Sequence, residues 1–238
     1  EVIDLVVRSA NEIASTMGAK VLPLGSNVKS VSLADETFDW QYHAHGVAKA
    51  ACALALKDHF DFICMGSSSP YGEIVPEGSM PRTDELWRTN DFQLYHVGAT
   101  RSRLGKIRDM ANWPILTQYL RVCFDESNTI NCGKCAKCVR TIFCIDALGL
   151  SNDFKHLFQE GSFEGLSGKV WQLSSTNESI VNRIKEISDK YADTGNEAMA
   201  KRVRQVHNYW APSVERQFFR NLKERLNNML KFKNKLKA

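Results

Sequence analysis

Residues 123–138 read CFDESNTINCGKCAKC, four cysteines in the spacing C-x8-C-x2-C-x2-C. A C-x-x-C step lets two sulfurs converge from one tight turn, and Gly133 and Ala136 keep the intervening loop narrow. Four thiolates at about 2.3 Å surround a Zn²⁺ ion tetrahedrally and leave no open position, which marks a structural rather than a catalytic site. Lys134, Lys137 and Arg140 add positive charge that offsets the anionic shell. An iron–sulfur cluster uses the same ligands. A disulfide is the third reading, but no sign of secretion supports an oxidising compartment. Cys123, Cys132, Cys135 and Cys138 are the expected ligands, and zinc is the expected ion.

Upstream of this cluster, helical and strand patterns alternate. Residues 1–18 place Ile3, Val6, Val7, Ala10, Ile13, Ala14 and Met17 at helical spacing, with Gly18 as the stop. AKVLPL (19–24) reads as a short buried strand, and GVAKAACALALKDHF after His45 as an apolar helix. DFICMG (61–66) is a strand ending in glycine, followed by a long loop rich in Pro and Gly. FQLYHVG (92–98) predicts a second strand, SRLGKIRDMANW a further helix, and YLRVC (119–123) a strand leading into the cysteines. That alternation predicts an α/β fold, part of a doubly wound and mainly parallel sheet. From Ser151 onward the pattern turns helical. Ser175 and Glu178 form a candidate capping box, with Ile180, Ile184, Ile187 and Tyr191 as one stripe. Pro212 opens a long amphipathic helix lined by Val214, Phe218, Leu222, Leu226, Met229 and Leu230. The expected division is therefore 1–118 for the α/β part, 119–150 for the cysteine segment and 151–238 for an all-helical appendage.

The chain has 238 residues, 43% hydrophobic and 24% charged, which are globular proportions. Its net charge of +4 is concentrated in the last sixteen residues, where six Lys or Arg face one Glu; the other 222 hold 25 basic and 26 acidic groups. That near-neutral body excludes a basic nucleic-acid binder. The tail helix could meet a membrane surface, but packing on the body is the favoured reading. No apolar run has the about 20 residues of a membrane span. The start, EVIDLVVRSANEIA, has acids in its first turn and no basic region, so it is no signal peptide. A cytoplasmic location is expected. Of the other cysteines, Cys52, Cys64 and Cys144 sit in apolar runs and read as buried thiols.

The cysteine spacing, the VRTIFCIDALGL that follows it and the preceding K-I-R-D-M-A helix resemble the C-terminal part of 7-cyano-7-deazaguanine synthase and its relatives. The NCGKCAKCVRT ending is also similar to that of the related epimerases acting on the muramoyl-peptide glutamate. Both belong to the PP-loop ATP pyrophosphatase superfamily, so the resemblance implies an adenine nucleotide alpha hydrolase-like fold. It further implies that ATP, with Mg²⁺, adenylates a small-molecule carboxylate and releases pyrophosphate. The superfamily's S-G-G-x-D-S phosphate loop is not among these 238 residues. The chain is accordingly expected to be part of a longer protein and inactive alone. The alternative is a non-catalytic, zinc-stabilised adaptor that keeps the fold without a nucleotide site. A cut sheet edge would favour pairing between copies.

Ligands of doubly wound sheets bind at the carboxyl ends of strands. Gly66, Ser67, Ser68 and Ser69 end the first strand, and their N–H groups and hydroxyls are candidate nucleotide contacts, against the plainer reading of a Gly-Ser turn. Arg101, Arg103 and Lys106 follow the second strand and suit phosphate oxygens. Lys106 matches the position of a phosphate-contacting Lys in the resembled family. His43, His45 and His96 are candidate acid–base groups, although a structural role is the ordinary reading of each. Tyr71, Glu73 and Arg82 in the long loop could read a substrate.

Overall fold

The computed structural model describes residues 2–33, 39–73, 77–123, 125, 128–173 and 178–210. The chain divides into two compact units with the boundary between Leu166 and Ser167. The first carries helices α1 (Val2–Thr16), α2 (Val28–Leu33) and α3 (His45–Leu54), then strand β1 (Phe62–Gly66) and the one-turn α4 (Pro81–Asp84). Strand β2 (Gln93–Val97) follows, then α5 (Arg103–Met110), α6 (Pro114–Tyr119), α7 (Ala136–Ala147) and the short α8 (Ser151–Phe154). A short α9 (Leu166–Lys169) lies at the boundary, and the second unit continues with α10 (Glu178–Asp193) and α11 (Glu197–Trp210). The architecture is mixed and helix-rich. No helix among the described residues is long and apolar enough to cross a membrane.

Strands β1 and β2 are parallel, with Phe62 opposite Gln93 and Gly66 opposite Val97. They form the only sheet among the described residues. Alternation places Ile63, Met65, Leu94 and His96 on one face, where Met65 and Leu94 pack against Ala50 of α3. The small residues Gly46, Ala48, Ala50 and Ala53 are the buried positions of α3, with Gly46, Ala50 and Ala53 on one side. A Cβ at Gly46 would stand 1.6 Å from the Gly78 carbonyl oxygen, so this helix meets the 77–80 loop backbone to backbone. The Gly78 N–H donates to the Gln41 carbonyl at 2.8 Å. Buried along most of its length, α7 packs on α5 through a unit core containing Val139, Ile142, Phe143 and Ile145.

Several expectations are corrected. AKVLPL is not a strand: Pro23 has no N–H for a ladder, and Leu22 and Leu24 are exposed. YLRVC is not one either, since Tyr119 ends α6 and 120–123 run on unpaired with any strand. The apolar helix after His45 stops at Leu54. Cys64 lies on the open face of β1 beside exposed Phe62, and Cys52 is half-buried, so of the three supposed core thiols Cys144 alone is buried. Met17, Ile3 and Val6 of the first helical pattern are exposed. The supposed capping box at Ser175 and the helix from Pro212 lie outside the described residues.

In the second unit, α10 and α11 form a helical hairpin. Val181, Ile184, Ile187 and Tyr191 face Ala200, Val203 and Val206, and the buried Ser188 hydroxyl donates to the Ala200 carbonyl at 2.9 Å. The Ile184–Ile187–Tyr191 stripe thus covers a core, as its spacing predicts. Ile184 is 1% exposed. Its truncation to Ala should cost about 2–4 kcal/mol, measured as a lowered midpoint of denaturant unfolding of the second unit.

Candidate metal centre

The sulfurs of Cys123, Cys132, Cys135 and Cys138 all lie within 4.8 Å of one another. The Cys132 and Cys138 sulfurs are 3.9 Å apart. Tetrahedral Zn–S bonds of about 2.3 Å require sulfurs roughly 3.8 Å apart, so the cluster could hold a metal such as zinc. Backbone amides support the sulfur charge. Cys132 Sγ accepts from the N–H of Lys134 at 3.4 Å and of Cys135 at 3.3 Å, and Cys123 Sγ from that of Asp125 at 3.3 Å. Cys135 is the N-cap of α7, accepting from the Cys138 N–H at 3.5 Å, so the positive end of a twelve-residue helix faces the thiolates. The turn depends on Gly133, whose φ of 69° suits glycine and whose added Cβ would stand 2.0 Å from the Ser162 hydroxyl.

Three ligands come from this turn and the first turn of α7. The fourth, Cys123, arrives on a separate segment, and the side chain of Asn131 brings it there. Asn131 is 1% exposed. Its Oδ1 accepts from the N–H of Val122 at 2.8 Å and of Cys123 at 3.1 Å. Its Nδ2 donates to the carbonyls of Leu120 and Leu157, both at 2.9 Å. The Asn131 N–H donates to the Leu157 carbonyl, and its own carbonyl accepts from Gln159. One side chain therefore does for residues 120–123 what a neighbouring strand would do. The residue stands next to Cys132, but its role could not be read from spacing, because a surface loop carries Asn equally often.

Burial, together with the neighbouring thiols Cys135 and Cys123, pushes the Cys138 thiol well above the usual range. An ion must displace that proton. Lys137, half-buried, is held below the usual lysine range by burial and by the nearby Arg103 and Arg140.

At the carboxyl ends of the strands, Gly66 ends β1 and Ser67 to Ser69 form the turn after it. The Ser67 N–H donates to the Val97 carbonyl at 2.8 Å. The Ser67 hydroxyl donates to the Ser69 carbonyl and accepts from the Ser69 N–H, closing its own turn. Lys106 Nζ reaches back from α5 to the Ser67 carbonyl at 2.8 Å. Lys106 and the 66–69 turn are thus brought together. Arg101 points elsewhere, donating to Asp109 Oδ2 at 2.8 Å, and Arg103 lies toward Lys137. Arg101 first, then Arg108, holds the exposed Asp109 carboxyl below its usual range. His43 and His45 make backbone bonds, to the Asp39 N–H and the Trp40 carbonyl. His96 instead meets Asp84, a partner that sequence reasoning missed because the contact spans the irregular loop.

No family model matches the chain, and comparisons with curated proteins and with solved structures gave no significant match.

Metal analysis of the purified chain should give one zinc per molecule, and Cys138→Ser should abolish tight binding. Because the Cys138 thiol is raised, affinity should fall as pH falls, by about tenfold per pH unit for each proton released, in chelator competition between pH 8 and pH 6. Asn131→Leu leaves two N–H groups and the Leu120 carbonyl without their partner and takes one of two donors from the Leu157 carbonyl; it should cost about 3 kcal/mol in thermal unfolding and weaken zinc binding in parallel.

Proposed function

We propose that this chain is the zinc-bearing part of an ATP-dependent, PP-loop-type enzyme that adenylates a small-molecule carboxylate and releases pyrophosphate. One observation carries the reading. Two parallel strands end side by side, and Lys106 of the helix after the second strand turns back onto the loop that ends the first. In doubly wound sheets, that is where nucleotides bind. The sheet would be completed by strands from the phosphate-loop region, and the 66–69 turn and Lys106 would meet the nucleotide, with Mg²⁺ supplying charge neutralisation. Zinc would be structural, held by Cys123, Cys132, Cys135 and Cys138, and would fix the start of α7 and hence Lys137. Four thiolates suit a reducing compartment, so the cytoplasm is the proposed location. Neither nucleic acid nor a membrane is a proposed partner.

The adaptor reading has one observation in its favour: the Ser67 hydroxyl is already consumed within its own turn. Activity separates the two. The 238 residues alone should neither bind ATP tightly nor release pyrophosphate, because the β- and γ-phosphates need a glycine-rich loop. A chain carrying an S-G-G-x-D-S loop upstream should do both with the right acid. Lys106→Ala in that longer chain should lower turnover by about tenfold or more, since a charge-assisted contact is lost. Absence of that loop from the upstream coding region, with no pyrophosphate released by the full protein, would favour the adaptor.

A further inference from the structure

The imidazole of His96 lies on the buried face of β2, opposite Met65, with its side chain 1% exposed. Its Nδ1 is 2.6 Å from Asp84 Oδ2. Asp84 is wholly buried; it accepts from the Ser79 hydroxyl at 2.7 Å on Oδ2 and from the Met80 N–H at 3.2 Å on Oδ1. A carboxylate oxygen at this distance accepts from the ring, which places the imidazole hydrogen on Nδ1. The other ring nitrogen, Nε2, is a buried polar atom with no hydrogen-bond partner. Buried polar atoms are nearly always paired, so an exception points to a missing partner. His96 and Ser79 line a small cavity that is also walled by Ser67, Ser68, Ser69 and Glu77. About 10 Å³ within it is open to the centre of a water-sized group, enough to seat a water molecule.

We propose that Asp84 and His96 form a binding site for a compact O–H donor, a water molecule or the terminal hydroxyl of a ligand, with Nε2 as the accepting atom. The donor set decides the chemistry: with its hydrogen on Nδ1, the imidazole offers Nε2 as the acceptor of one hydrogen bond, and the cavity has room for a water-sized group. Loop residues 67–69 form the outer wall, and exposed Ser68 marks the side from which a longer ligand carrying that hydroxyl enters. A lone pair fixed in this way is what abstraction of a proton from a hydroxyl requires. The site stands independently of the ATP reading, because neither its geometry nor its test involves a nucleotide.

The test is ¹⁵N NMR of the imidazole in the full chain, titrated with methanol at fixed pH. The His96 resonance is assigned by its loss in His96→Gln, or through ring-carbon correlations if that variant does not fold. The expected result is a protonated Nδ1 and an unprotonated Nε2 whose shift already shows an accepted hydrogen bond. A further shift with methanol identifies a ligand hydroxyl as the donor; an unchanged shift identifies resident water. Asp84→Asn should move the proton to Nε2 and abolish the accepted bond. A protonated Nε2 in the unaltered chain would overturn the proposal. So would an unprotonated one at the position of a nitrogen without a hydrogen bond and unmoved by methanol.

Discussion

The four hydrogen bonds made by the Asn131 side chain are the constraint on which the metal centre rests. A primary amide has two donors and two acceptor lone pairs, and all are used here, buried, on two separate backbone segments. Residues 120–123 and 157–159 have little regular structure of their own, so without this amide their polar groups would need water. With it they can run beside the cysteine turn, and Cys123 completes a shell that Cys132, Cys135 and Cys138 only begin. A bound ion and the amide would support each other. The ion would tie residues 120–123 to the cysteine turn through sulfur, and the Asn131 amide ties them to the same turn through hydrogen bonds, so each would lower the entropy that the other must overcome.

Local chemistry was legible in the sequence where one residue type has one dominant use. Four cysteines in sixteen residues announce a metal shell, and the four sulfurs do converge. The β1 and β2 patterns and the α5 start at Ser102 were equally legible, because apolar runs bounded by Gly and a serine cap leave few alternatives. The misreadings have a common cause. YLRVC and AKVLPL have the composition of strands, but a strand exists only with a neighbour to pair with. Residues 122 and 123 found an asparagine side chain instead, and 19–24 found no partner strand. Cys64 was misjudged because an apolar run says that a strand is buried without saying on how many faces. The Asp84–His96 contact was illegible in principle, since no spacing rule links an aspartate and a histidine through an irregular loop.

Charge as well as sulfur is gathered around the four cysteines. Burial first, then Arg103 and Arg140, weaken the hold of Lys137 on its proton, an unfavourable grouping unless anions lie nearby. A thiolate shell is such an anion. The exposed Arg101–Asp109–Arg108 group contributes far less, because solvent screens it.

The contact of Gly46 with Gly78 inverts an ordinary rule of helices. Alanine is the best helix former and glycine among the worst, so an isolated α3 would gain from alanine at position 46. In the folded unit the same methyl group would collide with the Gly78 backbone and push away the loop that leads to Ser79 and Asp84. Sequence drift at position 46 is therefore tied to the path of a loop some thirty residues away. Relatives of this chain should lose that glycine only when the loop changes length or course, so the pair forms a natural covariation marker for the histidine site.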